Sequence, residues 1–557
     1  MHSCKQCSSA FEITEADLAF LDSISPVFAG KKEVVPPPTL CPDCRFQGRL
    51  LFRNERHLYH RKSDLTGKQI VSMYAADKPY KVYDQEEWWG DRWDGLEYGR
   101  DFDFSRTFAE QFDELNLAVP HNSLFTTNAV NSYYTNHTLN IKNSYLVFGA
   151  GNAEDCLFGR FIVNSRDVVD ALSVYSCERC YEGVASQECY GCLYLKNCRG
   201  CTDCFFIDEC RSCRNCIGCF GLVQKEYHIF NQPVTKEEFE AYKASLFPLT
   251  HASIDALNVK LRDLAMALPH RHAHIYGSED CTGDFIFSSK GCRWCFDISD
   301  CEDCMYLSYS PKSVHSSDVS HTAPDGVQWC YQVGSTVGMH GGIATFLAWY
   351  GSNVMYSREC HNCHDVFGCA GLKSKQFCVF NKQYTKEEYE ALVPKIIDHM
   401  RGTGEWGEYL QPASSLMGYN ESIVQEVFPL TKEEVLARGW KWHDTLDPQD
   451  QYRGPAVEVP ETIVEVGDDI TQKILLCEVT GKPYKITPQE LAFYRGLGIP
   501  LPRKCADERH FDRIAARNPR RLWSRPCSKC GQTMETTYAP ERPEIIYCES
   551  CYLATTY

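Results

Sequence analysis

The chain has 557 residues, room for about three or four domains with real cores. Its 43% apolar and 24% charged content excludes wholesale disorder, and no apolar stretch approaches the ~20 residues that a membrane-spanning helix needs. A formal charge of −17 excludes indiscriminate coating of nucleic acid, and 32 cysteines with no visible secretory leader point to metal or buried thiols in a cytoplasmic protein instead of disulfides.

At the N-terminus, Cys4-x-x-Cys7 and Cys41-x-x-Cys44 offer four thiolates from two tight turns. Such a set closes a tetrahedron around zinc and leaves no position for water, so the metal is expected to be structural. The next stretch, 45–62, carries Arg45, Arg49, Arg53, Arg56, Arg61 and Lys62 against Glu55 alone. The first four follow a 3–4 spacing, which on a helix makes one cationic stripe able to lie along phosphates. The plainer reading is a solvated face paired with the acidic remainder. Residues 84–103 combine eight acids with aromatics including Trp88, Trp89 and Trp93. They are expected to clamp the N-terminal module onto the middle of the chain.

From 122 to 220 a short polar residue, then Cys or Ser, then an aromatic or aliphatic residue recurs every 9–13 positions. Asn131-Ser132-Tyr133, Asn143-Ser144-Tyr145, Asp155-Cys156-Leu157 and Arg179-Cys180-Tyr181 are examples. The spacing predicts short strands, and the returning small residue favours a β-solenoid with an inward ladder of Cys and Ser. The middle is also duplicated. Glu209-Cys210-x-x-Cys213 and Cys219-x-Gly221-Leu222 recur 150 residues on as Glu359-Cys360-x-x-Cys363 and Cys369-x-Gly371-Leu372. TKEE at 235, 385 and 431 is a capping-box signature, so each should open a helix.

The central cysteines leave packing, further zinc and an iron–sulfur cluster as alternatives. A ferredoxin-like cluster wants a wider last gap followed by Pro, which neither 198/201/204 nor 210/213/216/219 has. Cys204 meets Val354 and Cys216 meets Val366 across the duplication, an exchange that a packing position tolerates and a ligand position does not. Cys360-x-x-Cys363-His364 matches the covalent haem pattern, yet its counterpart has Arg214 in place of the histidine. No P-loop, dinucleotide fingerprint, zincin helix or nucleophile elbow is present.

The C-terminal segment repeats the N-terminal one. Cys4 and the IT-x-x-DLAF run at 13 return at Cys477 and Ile486, 473 positions later; beyond a gap the offset becomes 464, so Cys41 meets Cys505. Cys527-x-x-Cys530 and Cys548-x-x-Cys551, 17 residues apart, have four-thiolate ribbon spacing. At the offset of 464 they fall on Ser63, Thr66, Asp84 and Glu87, so the first copy has lost this metal. The last copy's other site is eroded to Cys477 and Cys505, with Thr480 and Glu508 at the missing positions and His510 nearby, a weak metal candidate. A second stripe, Arg509, Arg513, Arg517 and Arg520, repeats the first.

The C-x-x-C-x3-F-x-I-T…P-x-x-L-C-P-x-C-R pattern at 4–45 resembles a zinc-ribbon module of many uncharacterised bacterial proteins. The C-x-x-C-G…Y-C-x-x-C-Y run at 527–552 is similar to a companion ribbon, and the whole chain resembles large cysteine-rich proteins of candidate-phylum bacteria. These motifs cover about a quarter of the chain and imply zinc without an established activity.

The expected fold is mainly β with minor α: a duplicated, β-solenoid-like centre flanked by treble-clef or zinc-ribbon modules. The expected units are an N-terminal zinc module over 1–120, central repeats over 121–250 and 251–400, a connector over 401–470 and a C-terminal zinc-ribbon module over 471–557. Two structural zinc ions are expected. The expected function is a non-catalytic scaffold presenting a long surface to a protein partner, with no membrane and no small-molecule substrate. The alternatives are an RNA- or ribosome-binding factor using the two arginine stripes, and a redox or metal-handling protein using the central cysteines.

Overall fold

Between Asn152 and Glu188 every third residue has a left-handed backbone, with φ of 47–58°. Among the described left-handed residues none is Val, Ile or Thr, the types for which this conformation is most strained. The residue after each left-handed one points inward, and these residues are small: Ala153, Cys156, Ile162, Ser165, Val168, Ala171, Val174, Cys177 and Cys180 are all at most 4% exposed. The structure is a computed structural model and describes residues 1–444, 454 and 457–556. The expected connector therefore lies partly outside the described residues.

Strands stack in parallel at a constant offset of 12 residues. Leu139 pairs with Gly151, Gly151 with Val163, Arg166 with Glu178, Leu193 with Phe205 and Arg214 with Glu226. Eleven strands from Thr126–Val130 to Gln232–Pro233 form the first stack. A three-stranded and a nine-stranded sheet, joined by bridges at Met305, continue the same pattern from Ile275 to Gln383. The register departs from 12 at two places there: the first rung is one residue shorter, so that Ile275 pairs with Ile286, and a loop makes Ser317 pair with Tyr331.

The interior side chains explain the cysteines. Cys177 Sγ donates to the carbonyls of Tyr175 at 3.4 Å and Ser186 at 3.8 Å, and it accepts from the backbone N–H of Cys189 at 3.4 Å. Ser165 works alike, its hydroxyl donating to Val163 O at 2.8 Å and accepting from Cys177 N at 3.1 Å. The interior takes small and aliphatic side chains, and thiol and hydroxyl also engage the backbone groups beside them. Cys189, Cys192, Cys198, Cys201, Cys204, Cys210, Cys213, Cys216 and Cys219 extend this core, each at most 1% exposed.

The three TKEE motifs open helices Lys236–Leu246, Lys386–Thr403 and Lys432–Ala437. In each, the Thr hydroxyl accepts from the third backbone N–H and the Glu carboxylate accepts from the Thr N–H. The whole is mainly β with twelve α-helices among the described residues, none long and apolar enough to cross a membrane.

The two ends of the chain cross over. Tyr331, Ile343, Met355, Phe367 and Val379, an outward column on the second stack, pack with Phe52, Phe108 and Phe112 of the N-terminal module. The equivalent column of the first stack, Tyr181, Leu193, Phe205 and Ile217, packs with Leu491 and Tyr494 of the C-terminal module. These columns thus put each module on the repeat farther from it in sequence, while Glu55–Arg160 and Arg517–Asp297 tie each to the nearer one as well.

Candidate metal centres

Four small units share one construction. Each starts with a tight turn whose last residue is left-handed: Ser8, Gly67, Gly481 and Gly531, with φ of 62°, 76°, 70° and 76°. The N–H of that residue donates back to the carbonyl of Cys4, Ser63, Cys477 or Cys527, at 2.8–2.9 Å. The second half of each unit sits at a helix start: Cys41, Asp84 and Cys505 are N-caps, and Cys548 immediately precedes Glu549–Thr556. These turn residues were not singled out by sequence, although Gly67, Gly481 and Gly531 at a shared position carried the signal.

Two of the four units keep all four thiols. The Sγ atoms of Cys4, Cys7, Cys41 and Cys44 lie within 4.8 Å of one another, as do those of Cys527, Cys530, Cys548 and Cys551. Cys7 Sγ is 3.6 Å from Cys41 Sγ, and Cys530 Sγ is 3.7 Å from Cys548 Sγ. A tetrahedron of sulfurs around zinc, with Zn–S of about 2.3 Å, has an edge of about 3.8 Å. The donor set therefore fits zinc, and either quartet could hold a metal ion. Backbone N–H groups support the charge: Cys41 N donates to Cys4 Sγ and Cys548 N to Cys527 Sγ, both at 3.3 Å. A hydrogen bond from the Cys44 thiol brings the Cys41 thiol down to about 7. Burial opposes ionisation of Cys527, but the N–H groups of Cys548, Cys530 and Lys529 outweigh it and bring that thiol to about 6.

The other two units lack the four thiols. The Glu87 carboxylate accepts hydrogen bonds from the hydroxyls of Ser63 and Thr66, and from Asp84 N at 3.3 Å. One acid side chain thus ties together the three positions that would have bound a cation with it. In the fourth unit Cys477 and Cys505 are buried beside each other, and the Thr480 hydroxyl bonds the Cys477 thiol. His510, considered as a completing ligand, instead bonds Glu426 at 3.2 Å. Converting Ser63, Thr66, Asp84 and Glu87 together to Cys should raise bound metal by about one ion per chain. Mass-spectrometric metal analysis checks this, and an unchanged count would mean that the unit no longer has the metal-binding shape.

The arginine stripes lie on helices Pro42–Leu50 and Ala506–Ala515 and the turns after them, but face inward. This corrects their reading as a solvated face. Arg45, Arg49, Arg53, Arg509 and Arg513 are 2–6% exposed. Arg45 Nε and an Arg49 amino group bond Asp318 Oδ1 at 2.9 and 2.8 Å, while Arg509 and Arg513 bond the two oxygens of Asp170, each at 3.0 Å. Arg53 pairs with Glu55 at 2.5 Å, Arg56 with Asp507 at 2.7 Å, and Arg517 and Arg520 share Asp297 at 2.5 and 2.9 Å. The cations lie between module and stack, where phosphate does not reach them.

The acidic, aromatic segment 84–103 also packs inward on the second stack. Lys373 Nζ donates to Trp88 O and Gly90 O at 2.9 Å; Lys375 pairs with Asp94 at 2.8 Å and Lys382 with Asp101 at 2.6 Å. A Cβ at Gly95 would stand 2.6 Å from Gly371 O, so only glycine allows this approach. His274 bridges Glu209 at 2.7 Å and Asp284 at 2.8 Å, and His270 Nε2 lies 3.0 Å from Ala265 O.

Comparison with known proteins assigns no class. No family model and no curated protein matches the chain. Among solved structures it is similar to a putative acetyltransferase from Desulfovibrio desulfuricans, at 13% identity over 48% of this chain and 69% of that one. The TM-score of 0.11 is too low for that likeness to bear on fold or activity.

Proposed function

We propose that the chain is a non-catalytic, zinc-stabilised scaffold of the cytoplasm that offers a long β-rich surface to a protein partner. The observation that carries the reading is the convergence of two all-cysteine quartets. Four thiolates saturate a tetrahedral ion, so the zinc holds shape and activates no water. In this reading each quartet, a knuckle turn facing a helix start, is a treble-clef or ribbon module. Each parallel stack is a β-solenoid of 12-residue coils, four sides of three residues. The constant register and the left-handed residue at every third position support it.

The flank free for a partner includes the column Lys142, Glu154, Arg166 and Glu178, whose neighbours pair along the stack. Exposed pairs of this kind add little stability, which leaves them available for recognition. RNA binding is the weaker alternative, because the arginines it would use are already engaged with buried carboxylates. A photo-crosslinker placed at Glu154 or Glu178 is expected to capture a protein at defined positions, with no RNA binding at low salt. Salt-sensitive RNA binding by the purified chain would overturn the reading.

A further inference from the structure

The end of the first stack carries an inference separate from its flanks. In later rungs each left-handed residue donates its N–H to the rung before, as Asn143 does to Val130 O at 2.9 Å and Asp155 to Lys142 O at 3.0 Å. Each inward residue's carbonyl accepts from the rung before, as Ala150 O does from Leu139 N and Cys156 O from Tyr145 N. In the first rung the matching groups are the N–H of Asn128 and Asn131 and the carbonyls of Ala129 and Ser132. Strand Thr126–Val130 is terminal in its sheet, and among the described residues no earlier rung meets them. A side-chain ladder ends here as well. Asn128 donates to Asn140, Asn140 to Asn152 and Asn152 to Asn164 at 2.8–3.0 Å, which leaves Asn128 Oδ1 as the open acceptor.

The other ends of the stacks are treated differently. The first stack closes on the antiparallel strand Gln232–Pro233 and helix Lys236–Leu246, the second on Lys382–Gln383 and helix Lys386–Thr403. The start of the second stack has Glu279 and Asp280 where the first has Val130 and Asn131. Charges at an edge discourage another strand from adding to it. The first rung has none: residues 126–133 read TTNAVNSY, with Val130 55% and Tyr133 65% exposed.

We propose that this rung is where two copies of the chain meet, the open segment 127–132 of each pairing antiparallel across a two-fold axis, since Thr126 before it is already held by the Gln85 amide. A chain of charge −17 brings like charges together at most contacts with itself, and this uncharged edge avoids that repulsion. A two-fold contact must be self-complementary, and an edge of unpaired N–H and C=O groups is so.

Sedimentation velocity on the full-length, metal-loaded protein tests it, together with hydrogen exchange at Asn128 and Asn131. A concentration-dependent dimer is expected, with both amides slowing as it forms. Val130→Asp with Asn131→Asp, which gives this end the charge of the other stack, should weaken dimerisation by roughly 100-fold. Glu279→Gln should leave the dimer constant unchanged. A wild-type chain that stays monomeric overturns the proposal, as does a dimer that the paired substitution leaves unchanged. Should that variant misfold, wild-type amides that stay unprotected in the dimer overturn it equally.

Discussion

Asp318→Asn should destabilise the protein by about 3–5 kcal/mol, since it removes the charge partner of two buried arginines, and Asp170→Asn by less, since its arginines also pair with Glu182 and Glu490. Asp170 and Asp318 are both 0% exposed, and each receives the guanidinium groups of a module helix, Arg509 and Arg513 on one side and Arg45 and Arg49 on the other. The amide cannot balance those cations: Arg45 and Arg49 would stay buried without a counter-charge, whereas Arg513 keeps Glu182 at 3.1 Å and Arg509 keeps Glu490 at 3.5 Å. Urea unfolding of each variant reads the loss, and protease cleavage should begin within the module that has lost its anchor. A change under about 1 kcal/mol would mean that apolar packing alone holds the modules. Acid should remove the contribution of Asp318. Burial would raise the Asp318 carboxyl, but Arg45 and Arg49 outweigh it and hold it below the usual carboxylate range. A depressed folded value stabilises the protein above the unfolded value of about 3.9, and that contribution fades as pH falls through the folded one. The gap between wild type and Asp318→Asn should therefore narrow in strong acid.

Cys548→Ser should remove one metal ion per chain and unfold the segment from Trp523 onward as a unit. Structural zinc in such modules supplies roughly 10–16 kcal/mol of apparent folding free energy, more than the small cluster of Met534, Tyr538 and Ile546 around this quartet can replace. The damage should spread. His270 and Arg271 pair with Ile546 and Tyr547, and His270 N donates to Ile545 O at 2.7 Å, so the entry to the second stack loses its support as well. Hydrogen exchange should show new exposure over 523–556 and at 270–272, while the N-terminal quartet keeps its ion. Cys216→Ser, within the first stack, should change the metal count not at all. Retention of the full metal content in Cys548→Ser would contradict the assignment of that quartet.

Much of this architecture was legible in sequence because metal ligands and duplications act over short, fixed spacings. Both quartets came from CxxC pairs, and the TKEE helices came from one capping box used three times. The triplet period of the stacks was harder to read. Inward positions accept Cys, Ser, Ala, Val, Ile and Leu alike, so hydropathy varies along a strictly periodic backbone. The firmer signal is steric: Val, Ile and Thr are missing from the preceding, left-handed positions among the described residues. The arginine stripes were read with the right helical spacing and the wrong direction. Their partners Asp170 and Asp318 lie hundreds of residues away, and nothing local marks them as counter-charges. The same distance hid the substitution of the Glu87 carboxylate for a metal, since only coordinates bring Ser63 and Thr66 to it.

The most direct test of how sulfur is divided between metal binding and packing is metal analysis of the purified chain by mass spectrometry. About two zinc ions per chain and no iron are expected, one for each terminal quartet. Six or more ions, or iron in place of zinc, would contradict it by assigning ligand roles to the thiols inside the stacks.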